Sequence, residues 1–192
     1  MLFLLSGAQQ SGKTRWLQAL VEELEEEGVP CLGVLAPGRW HQGPRGLEKA
    51  GIDNLLLPDH RLLPFAEGAR GQADGRCAQS RAAGLGWDIS DAALEEVNAH
   101  LARLAEQHGE RNSGLLVVDE LGPLELRCGG GLHRALDLLE AGPRPGWPHA
   151  VVVVRPALLK EANERFRTSW GDPEPLEPSE GARLRVLGLL AS

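Results

Sequence analysis

Apolar positions along this chain fall into two registers. Leu2-Phe3-Leu4-Leu5, Leu115-Leu116-Val117-Val118 and the run 150–154 are short and unbroken, as expected of strands covered on both faces. A further strand is expected over 31–36, closed by Pro37-Gly38. Between these runs the spacing turns helical. Trp16, Leu17, Leu20, Val21 and Leu24 form one stripe, predicting a helix over about 13–27 that Gly28 and Pro30 end. Leu94, Val97, Leu101 and Leu104 form a second stripe, with Ser90 placed to cap it. Leu132, Ala135, Leu136 and Leu139 form a third, over about 130–140, stopped by Gly142-Pro143. A helical piece follows Arg155-Pro156 to about residue 165, then a proline-rich loop at 172–178. The pattern of 182–190 fits a strand or a helix equally.

Residues 38–68 break this rhythm. Short apolar pieces at 54–57 and 62–66, separated by Pro58-Asp59-His60, predict a β-hairpin excursion. The Gly/Ala/Arg-rich stretch that follows, about 68–88, has no clear period and reads as a long mobile loop. Strands alternating with helices predict one α/β domain over 1–192, with a mostly parallel sheet flanked by helices and a small antiparallel hairpin inserted.

Composition narrows the function classes. With 192 residues, 42% apolar and 24% charged, the chain suits one soluble domain with a full core. A net charge of −7 and the absence of a basic block disfavour nucleic acid as a partner. The acidic run at 22–27 reads as a solvated helix face. Cys31, Cys77 and Cys128 show no metal-binding spacing and leave an odd count, which points to a reducing, cytoplasmic setting rather than a disulfide framework. The six histidines are scattered, and each reads as a surface or capping residue. The first apolar run is too short for a signal peptide, and no run reaches the ~20 residues that span a bilayer. No heptad or exposed apolar patch is legible, so a monomer is the default expectation.

The candidate chemistry starts immediately after the first strand. Gly7-Ala8-Gln9-Gln10-Ser11-Gly12-Lys13-Thr14 is the phosphate-binding pattern G-x-x-x-x-G-K-[ST], between an expected strand and an expected helix. With this chain's composition, a chance match has odds of only about 0.2%. Glycines let successive main-chain N–H groups face one concave space, and the positive end of the helix reinforces that field. Lys13 is placed to reach the β- and γ-phosphates of a nucleoside triphosphate such as ATP or GTP, and the Thr14 hydroxyl to ligate Mg²⁺. The run at 115–118 ends in Asp119-Glu120, at the strand end where open α/β sheets carry their chemistry. Asp119 is the candidate for the metal's water shell, and Glu120 for orienting or deprotonating an attacking water.

The segment Val117-Val118-Asp119-Glu120-Leu121-Gly122-Pro123-Leu124-Glu125-Leu126 resembles the D-E-I-G-x-M-E-L signature of the thermophile-type P-loop nucleoside-triphosphatases, relatives of the cancer-related nucleoside triphosphatase. Looser agreement covers most of 1–155, including Gly43-Pro44-Arg45-Gly46 and the lead-in Gly86-Trp87-Asp88-Ile89-Ser90. The resemblance implies a RecA-like fold with one strand between the P-loop strand and the acidic strand. It also implies slow Mg²⁺-dependent hydrolysis of nucleoside triphosphates to diphosphates with loose base preference. By position, Lys13 and Thr14 take phosphate and metal, Asp119 supports the metal, Glu120 is the catalytic carboxylate, and Glu125 belongs to the signature. The chain departs from that pattern at Gln9-Gln10-Ser11 and at Pro123, where relatives often carry lysine. Arg155, with Arg45 as a weaker candidate, is placed to supply the transition-state cation instead. Trp40 and Trp87, expected in loops, are candidates for stacking on a base. Two other classes share the motif: a small-molecule or nucleotide kinase, and a nucleotide-dependent switch with little turnover.

Overall fold

A computed structural model describes residues 1–43, 46–68, 87–106 and 114–190. Its centre is five parallel strands in the order β2-β7-β8-β1-β9, comprising β1 (Leu2–Leu5), β2 (Cys31–Leu35), β7 (Leu115–Leu121), β8 (His149–Val154) and β9 (Glu174–Leu176). One strand, β8, separates β1 from β7, as the resemblance implied. Each buried strand divides its side chains between two cores, because successive residues point to opposite faces. Phe3, Leu5, Leu115, Val117, Val151 and Val153 pack on one face with Leu17, Leu20, Val21 and Leu24 of α1 (Lys13–Glu26) and Val186 and Leu190 of α6 (Glu180–Leu190). Leu2, Leu4, Leu116, Val118, Ala150 and Val152 pack on the other. There they meet α2 (Asp91–Glu106), α4 (His133–Glu140) and α5 (Leu159–Trp170). Helices on both faces explain why the strands read as continuous apolar runs.

The antiparallel part exceeds a small hairpin. Strands β3 (Gly38–Gly43), β4 (Gly46–Leu57), β5 (Arg61–Gly68) and β6 (Trp87–Ile89) extend the same sheet beyond β2. The 12-residue β4 has two duties: its first half pairs with β3, and Leu55, Leu56 and Leu57 pair with β2. The excursion is thereby fused to the main sheet. Pro58-Asp59-His60 makes the β4–β5 turn, as expected.

Several expectations are corrected. Trp40 and Trp87 lie in β3 and β6, not in loops. The pattern of 182–190, open between strand and helix, resolves to a helix within α6, whereas the stretch expected as a proline-rich loop contains β9 paired to β1. The signature segment folds into an additional short helix, α3 (Pro123–Cys128), and α5 runs on to Trp170. His100 is buried in α2 with its Nε2 3.0 Å from the Leu57 carbonyl, so it is neither a surface nor a capping residue. The expected mobile loop, apart from its ends, and Cys77, His108 and Arg45 lie outside the described residues.

Candidate functional site

The P-loop is built by a strand that stops and a helix that starts within eight residues. Gly12 caps α1 with φ 89°, a left-handed conformation that costs glycine nothing, and open space lies where its Cβ would project. The chain folds back so far that the Lys13 Nζ donates to the Gly7 carbonyl at 2.9 Å and the Ala8 carbonyl at 2.7 Å. The main chain of Gln9, Gln10, Ser11 and Gly12 therefore wraps around the lysine stem, and Gln10 itself takes φ 60°. A late segment braces this arch. The Ser6 N–H donates to the Leu176 carbonyl, Pro178 lies against Gly7, and the Trp16 indole donates to the Ser179 carbonyl at 2.8 Å.

The acidic pair is placed by alternation. Asp119 follows Leu115 and Val117 on the α1 face, the face on which the P-loop helix lies. It is 4% exposed. Its Oδ2 accepts from the Ala36 N–H at 3.1 Å. Burial pushes its pKa up to about 6, against the Ala36 N–H and the nearby Thr14 hydroxyl, which favour the anion; the Glu120 charge adds to the rise and Lys49 opposes it. The ladder between β7 and β8 skips here: Val118 pairs with Val152 but Leu121 with Val154, so two residues of β7 oppose one of β8. That bulge turns Glu120 to the rim. The Asp119–Glu120 peptide is cis. Glu120 meets the Arg155 Nε at 2.5 Å, just beyond the end of β8.

The structure thus brings Thr14, Lys13, Asp119, Glu120 and Arg155 to one edge of the parallel sheet. Glu125 is not among them. It is buried, its Oε2 accepting from the Gly122 N–H at 2.8 Å and its Oε1 from the Leu132 N–H at 3.0 Å. Burial raises its pKa, partly offset by these donors. Its task is to cap α3 and anchor the turn into α4. Gly131 has φ 60°, and a Cβ there would fall 1.8 Å from the Glu125 Oε1, so the signature glutamate demands glycine six residues on.

One nearby residue escaped the sequence reading. Lys49 of β4 is half-buried, and the charges of both Asp119 and Glu120 act on it, opposing the drop in pKa that burial causes. Its proximity depends on β4 pairing with β2, which no local pattern encodes. Two open hollows of the surface formed by described residues lie elsewhere. One, of about 480 Å³, is lined by Arg39, Phe65, Glu67 and Asp88. The other, of about 650 Å³, runs between α2 and the α3–α4 turn past Asn98 and Arg134. Neither touches the P-loop, whose grip on an anion would come from main-chain N–H groups rather than an apolar cleft.

No family model and no curated protein matches this chain. Among solved structures it is similar to one described as THEP1 from the hyperthermophile Aquifex aeolicus, with a TM-score of 0.65, 16% identity and complete coverage of both chains. That likeness shows the fold, a mixed α/β RecA-like P-loop NTPase fold with helices flanking the parallel strands and antiparallel strands added. Among the described residues, no helix is long and apolar enough to cross a membrane.

Proposed function

We propose that this protein is a Mg²⁺-dependent nucleoside-triphosphate phosphohydrolase, converting triphosphate to diphosphate and phosphate with broad base preference. The observation that carries the reading is the placement of the Thr14 hydroxyl close enough to the buried Asp119 carboxylate to favour its anion. It joins the loop that cradles phosphate to the acidic strand that a metal-dependent phosphoryl transfer requires. The donor set fits Mg²⁺: a hydroxyl and a carboxylate are hard oxygen ligands. Asp119, buried and pushed up to about 6, is an anion short of compensating positive charge. Thr14 and Asp119 would hold Mg²⁺, which when bound would supply positive charge to offset that developing on the phosphates.

The chain's own groups divide the remaining work. The N–H groups of residues 7–14 and the start of α1 hold the phosphates, and Lys13 exchanges the Gly7 and Ala8 carbonyls for phosphate oxygens. Glu120, at the rim and partly exposed, takes the proton of the attacking water. Arg155 holds that carboxylate in the resting site and is placed to meet negative charge as it develops. A carboxylate facing solvent beside the metal residue favours water over an alcohol acceptor, and hence hydrolysis over a kinase reaction.

Phosphate release and equilibrium binding, measured with Mg²⁺ and several triphosphates, test the reading. Lys13→Ala should lose nucleotide binding. Glu120→Gln should keep binding and lose turnover by about 100-fold or more, in line with removal of a general base. Normal turnover in Glu120→Gln would remove that carboxylate from the chemistry, and a wild-type protein inert to every Mg–nucleotide would end the proposal.

A further inference from the structure

Two of the chain's three lysines converge on this one edge of the sheet, and they arrive from opposite flanks. In the order β4-β2-β7-β8-β1, the acidic strand β7 stands between β1, which leads into Lys13, and β4, which carries Lys49. The third, Lys160, is 89% exposed on α5. Lys49 is held in place by its stem. It pairs with Trp40 across β3 and β4, and its Cε lies 2.7 Å, and its Nζ 3.4 Å, from where a Gly38 Cβ would stand. A side chain at position 38 would displace the end of Lys49 from that path. Gly38 is two residues beyond Ala36, whose N–H grips Asp119, so the stem runs over the corner that fixes the acidic pair.

We propose that Lys49 is a substrate-contacting residue whose ammonium binds the terminal phosphate of the nucleoside triphosphate, so that the antiparallel insertion supplies the site's second lysine. The inference rests on the nucleotide reading above and assigns the insertion a part in it. The charges of both carboxylates act on the Lys49 ammonium, and half-burial strips part of its water, which strengthens its attraction to a phosphate oxygen. With Lys13 and Arg155 it makes three cations against Asp119 and Glu120, a balance that suits a polyanion. A second cation given over to the terminal phosphate adds a contact that a diphosphate cannot make, whereas Lys13 also reaches the β-phosphate that both ligands carry.

The test compares binding of a non-hydrolysable Mg–triphosphate analogue and of Mg–diphosphate by calorimetry, in wild type, Lys49→Met and Lys49→Arg. Methionine keeps the apolar stem over Gly38 and removes only the charge. Lys49→Met should weaken the triphosphate analogue about tenfold and leave the diphosphate within about twofold, and Lys49→Arg should regain part of the loss. Circular dichroism melts establish that each variant is folded. Unchanged triphosphate affinity in folded Lys49→Met, or an equal loss for both ligands, overturns the role of Lys49 and leaves the phosphohydrolase reading standing. A wild type that binds neither ligand overturns both.

Discussion

At the scale of single residues, the site spends stability on charge. The Asp119 carboxyl titrates near 6 when buried and near 3.8 as an ordinary aspartate, so between those pH values the folded chain holds the proton that the unfolded chain has released. Folding stability of the ligand-free protein therefore falls as pH rises through that window, by about 3 kcal/mol in all. Asp119→Asn should recover most of this above pH 6 in urea unfolding while losing Mg²⁺-dependent nucleotide binding. Glu125 works the other way. Glu125→Ala strips the acceptor from the Gly122 and Leu132 N–H groups and should cost about 2–5 kcal/mol, read as a lower melting temperature with P-loop chemistry otherwise intact. The sequence exposed Lys13, Thr14, Asp119 and Glu120 because each sits in a short contiguous pattern at a strand end. Lys49 was invisible in it: no spacing rule links that residue to an acid pair 70 positions later, and only the β4–β2 pairing does.

At the scale of elements, legibility followed periodicity. The stripe of α1 and the four apolar strands were readable because their packing is two-sided and uniform. In α6, Leu184 faces solvent while Val186 and Leu190 are buried, so its apolar residues encircle the helix and give no face to read. Helix α3 has six residues, too few for a period, and is specified by Gly122, Pro123 and the bond from the Gly122 N–H to the Glu125 carboxylate. Ser90 did announce α2: its Oγ accepts from the Ala93 N–H at 3.2 Å. Ser90→Ala should cost about 1 kcal/mol and lower the melting temperature by about 2–4 °C, measurable by calorimetry. The size of the antiparallel region could not be read, since β3 and the start of β4 carry mixed polar residues that resemble a loop.

The whole molecule is tied across its layers by a few buried polar contacts, and one of them titrates. His100 links α2 to the Leu57 carbonyl, and burial pushes its pKa below the ordinary histidine value, with the Arg103 charge adding to the drop. The carbonyls of Leu57 and Gly33 and the charge of Asp59 oppose that drop. The unfolded chain then binds the extra proton first as pH falls through about 6.5, so stability from this residue is full above that value and declines below it. The change in urea midpoint on going from pH 5.0 to 7.5 should be more positive in wild type than in His100→Gln, since both proteins share the opposing Asp119 contribution.

The position of β1 between β8 and β9 fixes a timetable. Among the strands of the sheet, the one that carries the phosphate loop is made before both its hydrogen-bonding neighbours, which are encoded beyond residue 148. At ordinary elongation rates of ~5–20 residues per second, it waits on the order of ten seconds or more with both edges bare. During that interval a nascent chain has nothing to shape the loop, and nucleotide cannot serve as a template for early folding. The earliest-made strand of this sheet is thus among the last to mature.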